Sequence, residues 1–297
     1  MTMTWVHCRT PTVSRILLLA MSAIALGCGP SSERKSREPS RTGPFQSASQ
    51  QSDAAMPADR SLSTEEYRKL GVPAPELAWS ADDLLKVAKA LEKLAEKDFQ
   101  QLPRYESNRS GKVFARMTSA DNLEQIKQST LHLKVRLQQG LAFLLSYRQL
   151  LQLYLSAFAK KAVSDFELVE IEGATLRVIA LVLQTAEELL ATINKDDPSY
   201  EQHREDLQRM RRGAAEIVAG CLQCFTDRQD FHPATLANLV VHLRATLPAI
   251  APRLPPRSKD ECLTKLRMLA KEPNLKDSLP GLEELYASVE KALKKKD

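Results

Sequence analysis

Apolar residues recur in steps of three and four along most of the chain after residue 80, a spacing that places them on one face of a helix. Ser80 suits the N-cap of a first helix, with Asp82 and Asp83 in its first turn and apolar positions to about Phe99. The stretch from Pro103 to Thr118 has no clean period, which predicts a loop.

The longest alternation starts at Ser119 and predicts one helix of about 40 residues, about 60 Å long. Gly140 on its apolar seam indicates either the close approach of a neighbouring helix or a bend. The seam comprises Leu123, Ile126, Thr130, Leu133, Leu137, Gly140, Leu144, Tyr147, Leu151, Tyr154 and Phe158.

The remaining pattern predicts five further helices. They run over 165–193, from Pro198 or Ser199 through Cys224, from Pro233 to about Pro248, over 258–270 and over 280–293, with a hard stop at 252–256. No stretch alternates with period two. We therefore predict an all-α fold, a multi-helix antiparallel bundle with long helices in residues 81–297, preceded by a disordered tether. Residues 64–80 are transitional, because Gly71 to Pro75 breaks any helix and Trp79 packs onto the domain edge.

The N-terminus carries an apolar run from Ile16 to Gly27, twelve residues long. A membrane-spanning helix needs about 20 such residues. Arg9 and Arg15 precede the run, and no acidic residue occurs before Glu33. This arrangement is typical of a secretory signal.

The run ends in Ala25-Leu26-Gly27-Cys28, which resembles the lipobox of bacterial lipoproteins. In that family the cysteine thiol takes a diacylglycerol, the signal is cut before the cysteine, and the new amino group is acylated. The resemblance covers about the first thirty residues. It implies that residues 1–27 are a signal peptide, that Cys28 is the lipidation site, and that the protein is anchored in the cell envelope. Glycine rather than aspartate at position 29 favours the outer membrane where the host has two membranes.

Two other interpretations of this segment stay open. It is a plain secretory signal cleaved near Ala25, or translation starts at Met3 or Met21. Residues 28–63 follow as a linker rich in Ser, Gln, Pro and Arg, which cannot bury enough apolar surface to stay folded. A flexible tether of about 35 residues has a typical span of about 30–35 Å.

The charge balance bears on the choice of partner. The chain has a formal net charge of +5, and removal of residues 1–27 leaves 40 basic and 37 acidic residues. This near balance argues against a nucleic-acid partner, which requires a concentrated basic face. We find no phosphate-binding loop, nucleophile elbow, zinc-protease motif or paired Glu-x-x-His motif, so we expect no cofactor, no metal and no enzymatic activity.

Three cysteines are candidates for a disulfide, a metal site or a redox site. Cys221 and Cys224 form a Cys-x-x-Cys pair deep in a predicted helix, and Cys262 follows in a later one. We expect that all three are buried in the core and serve as apolar residues. The alternatives are a disulfide that involves Cys262, which an oxidising envelope permits, and a metal or redox site.

The predicted loop is the better candidate for a binding site. Tyr105, Arg109, Lys112 and Arg116 place an aromatic ring and three cations around Ser110-Gly111. Such a set suits an anionic glycan, a phosphate or an acidic strip on a partner; the alternative is a solvated interhelical loop. Asp165, Glu167, Glu170 and Glu172 also make an acidic helix start, which the helix dipole accounts for unless they bind a cation.

These observations favour a membrane-tethered, non-enzymatic envelope lipoprotein that acts as scaffold, adaptor or assembly factor for another envelope protein. The alternative is a helical domain that binds a small molecule, or an anionic group at the 105–116 loop. A thiol or metal protein that uses Cys221, Cys224 and Cys262 is the third hypothesis.

Overall fold

The computed structural model describes residues 59–127, 132–276 and 278–295. Every regular element within these ranges is a helix, which confirms the all-α prediction. Cys28, with the predicted signal peptide and most of the predicted tether, lies outside the described residues.

The helices are short in the N-terminal third and long in the middle of the chain. In order they are α1 Thr64–Lys69, α2 Ala81–Ala95, α3 Gly111–Thr118, α4 Asp121–Lys127, α5 Leu133–Ala159, α6 Asp165–Thr192, α7 Tyr200–Cys224, α8 Pro233–Ile250, α9 Pro256–Lys271, α10 Pro273–Lys276 and α11 Leu282–Lys294. Short 3₁₀ turns lie at Phe99–Gln101, Arg228–Asp230 and Ala251–Arg253.

Helix α6 lies at the centre of the bundle. It packs most extensively on α5 and α8, and also contacts α7 and α3. Helix α2 covers the other side of α5, while α9 and α11 pack against each other, with α11 also on α8. Because α6 is surrounded, sixteen of its residues are buried, and Leu176 and Val178 are fully inaccessible to solvent. Burial of this apolar surface is the main source of stability of the bundle.

Helices α5 and α6 form a hairpin through a tight connection. The amide of Lys161 donates to Phe158 O at 2.8 Å, and the amide of Ala162 donates to Ala157 O at 2.9 Å. These are the two hydrogen bonds of a Schellman motif. In this motif the residue that follows the C-cap adopts the left-handed conformation. Lys161 occupies that position with φ 55°.

Gly140 marks a close approach of helices. A Cβ atom at this position would lie 3.0 Å from Cγ2 of Val182 on α6. Of the two sequence interpretations, the structure therefore supports close packing of α5 on α6.

The prediction of one long helix from Ser119 is wrong. His132 has a non-helical backbone, with φ −55° and ψ 140°, and caps α5, so α5 is separate from α4. Residues 128–131, after the last residue of α4, lie outside the described part. The break is stabilised from both sides. His132 Nδ1 accepts from the Lys134 amide at 3.4 Å, and Arg136 donates to the carbonyls of Ile126 and Lys127 at 3.4 and 3.2 Å. Side chains thus replace helical hydrogen bonds at the ends of the two helices.

The chain before residue 81 packs onto the bundle. Ser63 caps α1, and Tyr67 and Trp79 are almost completely buried. The predicted helix break near Gly71 is present, with φ 87° at that glycine. Residues 59–63, which the sequence assigns to the tether, already belong to the described fold, since Ser61 is fully buried.

One described stretch, Pro233–Arg253, is long and apolar enough to cross a bilayer by length and composition alone. Half of its most apolar window is buried inside the structure. Contacts with α6 and α11 account for this apolar character, as in the core helix of a bundle.

Candidate functional site

The predicted 103–118 loop is wrong in its second half, where Gly111–Thr118 forms α3. Val113, Phe114 and Met117 lie on the buried face of this helix. Gly111 is required at its start, because a Cβ there would lie 2.9 Å from the Tyr105 carbonyl oxygen. The short buried helix therefore fixes the geometry of the predicted binding residues.

The four predicted binding residues contact different parts of the fold. The half-exposed ring of Tyr105 packs on Phe166, with ring centroids 4.5 Å apart. Arg109 Nη2 lies 3.2 Å from Glu66 Oε2 on α1, and Arg116 Nε donates to the Pro75 carbonyl at 2.7 Å. Lys112 is exposed on α3. Two of the three cations thus connect this segment to α1 and to the stretch between α1 and α2.

A polar cluster at Asp59 adjoins these residues and was not predicted. We call Asp59, Ser61, Ser107 and Ser110 the N-terminal clamp. The Asp59 carboxylate accepts hydrogen bonds from the hydroxyls of Ser61 and Ser107, both at 2.6 Å, and Ser110 Oγ donates to Ser61 Oγ at 2.9 Å. Burial opposes ionisation of Asp59, but these hydrogen bonds outweigh it and hold its pKa below the usual value. The clamp joins the start of the fold to the segment before α3.

The three predicted cysteines are free, buried thiols. Burial raises the pKa of Cys221 and Cys224, and the nearby Glu172 adds to the effect. Burial alone raises the pKa of Cys262 to about 11. Because the thiolate is the reactive form and metal ligand, these thiols are poorly reactive at neutral pH. Within the described residues, no group of three or more His, Cys, Asp or Glu side chains is arranged to hold a metal ion.

Three glutamates in the first turns of α6, Glu167, Glu170 and Glu172, have different surroundings and different roles. Glu167 completes a capping box with Ser164, accepting from its amide at 2.7 Å, which fits the predicted helix-start role. Glu172 points into the core, where Cys224 Sγ lies 4.0 Å from its Oε1 and its Oε2 has no hydrogen-bond partner. Burial raises the pKa of Glu172 to about 7. The helix dipole therefore explains only the first turn.

Glu170 forms the third group, with two residues of α8. Its Oε1 lies 3.1 Å from His242 Nε2 and accepts from Asn238 Nδ2 at 2.6 Å. Burial opposes ionisation of Glu170, but these two partners keep its pKa below the usual value. The imidazole packs on Gly173, where a Cβ would lie only 2.5 Å from His242 Cγ. The pair thus holds the ring against the α6 backbone. No motif signals it, because the partners lie 72 residues apart.

A polar cleft of about 270 Å³ opens where α2, α4 and α5 meet. We call it the amide cleft, because three glutamine side chains and one asparagine line it. Its lining residues are Ser80, Ala81, Asp82, Asn122, Gln125, Ile126, Gln138, Gln139, Ala142 and Phe143. The sequence gives no sign of it, because the prediction joined α4 and α5 into one helix.

Comparisons of the chain with protein-family models, curated proteins and solved structures gave no match.

Proposed function

We propose that this protein is a membrane-tethered, non-enzymatic interaction module of the cell envelope. In this proposal a lipid on Cys28 holds the chain at a membrane, and the helical bundle binds another envelope protein as a scaffold, adaptor or assembly factor.

The observation that carries the proposal is the sequence around Cys28. An apolar run too short to span a bilayer follows Arg9 and Arg15 and ends in Ala25-Leu26-Gly27-Cys28. Several acyl chains on one cysteine would give firm attachment, because each buried methylene contributes about 0.8 kcal/mol.

The contacts of the predicted site residues in the folded domain also support a binding role. Two of the three cations that suggested an anion site, Arg109 and Arg116, stabilise the fold through Glu66 and Pro75. The thiols are buried with raised pKa values. The residue types that most suggested chemistry therefore have structural roles, which favours a function exerted through the surface.

The clamp sets the length of the proposed tether. The predicted linker extends to residue 63, but Asp59 is already bonded to Ser61 and Ser107, so we propose that the tether after Cys28 ends at residue 58. A flexible linker of this length has a typical span of about 30 Å. The bundle would then reach a partner near the membrane surface without leaving its anchor.

Intact-mass measurement of the protein from membranes of its native host tests the anchor. We expect a chain that begins at residue 28 and carries a lipid-sized mass increase, and we expect Cys28→Ala to abolish that increase. Cys262→Ala is the matched control, because it removes a buried thiol and should leave lipidation intact. An unlipidated soluble chain cut elsewhere would contradict the proposal. Crosslinking in those membranes would then test for an envelope partner.

A further inference from the structure

The amide cleft has an apolar floor and a polar rim. Ile126 and Phe143 form the buried part of the floor, each about 2% exposed. Around them lie side chains from three helices: Asp82 at the start of α2, Gln125 on α4, and Gln138 and Gln139 on α5. Packing of α4 and α2 beside the first turns of α5 brings them to one opening.

The three glutamines of the rim differ from Asn122 in their hydrogen bonding. Asn122 is buried and fully engaged, because its Oδ1 accepts from the Trp79 amide at 2.9 Å and its Nδ2 donates to the Arg116 carbonyl at 2.8 Å. Gln125, Gln138 and Gln139 are exposed and make no side-chain hydrogen bond within the described residues. Three primary amides are therefore free to bond a ligand.

We propose that the amide cleft binds a neutral polyhydroxylated ligand, about one or two sugar units of a saccharide. A primary amide presents one acceptor oxygen and two donor hydrogens. A hydroxyl group also donates and accepts, so it can pair with any orientation of the three amides. The carbon-bound hydrogens of a sugar ring would pack on the floor of Ile126, Ala142 and Phe143.

Charge argues for a neutral ligand. None of the ten lining residues is Lys, Arg or His, and Asp82 places a carboxylate on the rim. An anionic ligand would be repelled by Asp82 and find no counter-charge, while a cation would leave the amide hydrogens unused. The neighbouring Asp83 is occupied by Ser80 and Lys86.

The opening also disfavours an extended peptide. Peptide main chains bind best to an open sheet edge, where donors and acceptors alternate along a line. The described residues contain no strand, and the amides of the cleft are side-chain groups of two helices, α4 and α5. Saccharide binding at the amide cleft requires neither the lipid nor the protein partner, so it does not depend on the proposed function.

Side-chain amide signals of the isotopically labelled full chain provide the test, with maltotriose and diacetylchitobiose as neutral probes. We expect saturable shifts of the glutamine amides of the cleft with at least one of them. The double variant Gln138→Ala, Gln139→Ala should weaken binding by about tenfold, because two hydrogen bonds to neutral groups are lost. The matched control is Gln149→Ala, Gln152→Ala, since both residues are exposed on α5 outside the cleft. That control should bind as the unaltered chain does.

A second variant tests the charge argument. Glucuronate should not shift the cleft signals of the unaltered chain, whereas Asp82→Asn should allow it to bind. The proposal is overturned if neither neutral saccharide shifts the cleft amides, if glucuronate binds the unaltered chain as well as the neutral probes do, or if only a capped glycine dipeptide binds. It is also overturned if both double variants weaken binding equally.

Discussion

The central helices and the N-terminal segment 59–118 both contribute buried residues to the core, but different interactions hold them in place. Helix α6 is surrounded by apolar contacts with α5 and α8, and the hydrogen bonds of its backbone are internal to the helix. The N-terminal segment contains short helices and irregular stretches, and its free carbonyls are bonded by side chains of the bundle. Tyr154 donates to Pro103 O at 2.8 Å, Tyr147 to Met117 O at 2.9 Å, and Arg177 to Thr118 O at 2.6 Å.

The difference follows from the backbone. A helix satisfies most of its own polar groups, so its burial needs only apolar side chains of the right shape. An irregular segment can be buried only if other groups bond its backbone, because an unpaired buried carbonyl is costly. Long polar side chains from α5 and α6 provide these bonds. We therefore expect single substitutions in the two regions to change the free energy of unfolding for different reasons.

The largest expected effect concerns Glu172, a buried acid of the core whose Oε2 has no hydrogen-bond partner. Its pKa of about 7 lies above the unfolded value, so the folded protein binds an extra proton between about pH 4.5 and 7. Its contribution to the free energy of unfolding should fall by about 3 kcal/mol as pH rises through this window, and stay low above it. Urea unfolding across this pH range measures the slope.

Glu172→Gln should remove this decline in stability and should be more stable than the unaltered chain at pH 8. Glu106→Gln is the control of equal charge change, because Glu106 is exposed. A slope that persists in Glu172→Gln would show that other groups control the pH dependence of the core.

A methyl group added at the contact of α6 with α8 should have the next largest effect. Gly173→Ala would place a Cβ within 2.5 Å of the His242 ring, which must move away from Glu170. We expect a loss of about 1–3 kcal/mol in unfolding free energy by urea denaturation. Gly220→Ala on α7 has open space around it and should instead stabilise by about 0.5–1 kcal/mol. Equal effects of the two would show that this contact is not tightly packed.

Loss of one hydroxyl tests the polar attachment of the N-terminal segment. Tyr154→Phe keeps the ring but leaves the buried Pro103 carbonyl without its donor, so we expect a loss of about 1–2 kcal/mol. The measurement is thermal or urea unfolding. Tyr286→Phe is the control, because its hydroxyl bonds Glu290 near the surface of α11, and it should change stability by less than about 0.5 kcal/mol. No difference between the two would mean that apolar burial alone holds the segment.

The smallest expected effect lies at the α5–α6 connection. Lys161→Gly should stabilise by about 0.5–1 kcal/mol, because glycine adopts the left-handed conformation without strain. Lys160→Gly should destabilise slightly, since Lys160 has an ordinary backbone conformation, with φ −93°, and its ammonium lies 4.3 Å from the Phe99 ring centre. Differential scanning calorimetry resolves both changes. A destabilised Lys161→Gly variant would contradict the Schellman geometry.

Much of the helical core could be predicted because its apolar spacing is regular over many turns. Helices α6, α7 and α8 begin within two residues of the predicted positions, after the N-caps Ser164 and Ser199 and at Pro233. Helix α3 was missed, although Val113, Phe114 and Met117 carry a short helical spacing that could have revealed it. The break between α4 and α5 was missed because Ile126 and Leu133 keep the same seven-residue register on both sides.

The candidate sites were less predictable because they depend on contacts between distant segments. The sequence suggested that Arg109 and Arg116 bind an anion. It does not show that Arg109 pairs with Glu66 on α1 or that Arg116 donates to the Pro75 carbonyl. The amide cleft was missed altogether, since it exists only where α4 ends and α2 and α5 come together.

The sequence by itself determined that the chain is helical, where helices α6 to α8 begin, and which residues of these helices face a core, because local spacing and capping express these properties directly. Its first thirty residues also carry the basis for the proposed anchor. Only the tertiary structure decided that Glu172 would be a buried acid, that Glu170 would bond His242, and that three glutamine amides would share one cleft. These properties depend on desolvation and on distances between helices, which arise only when the helices pack.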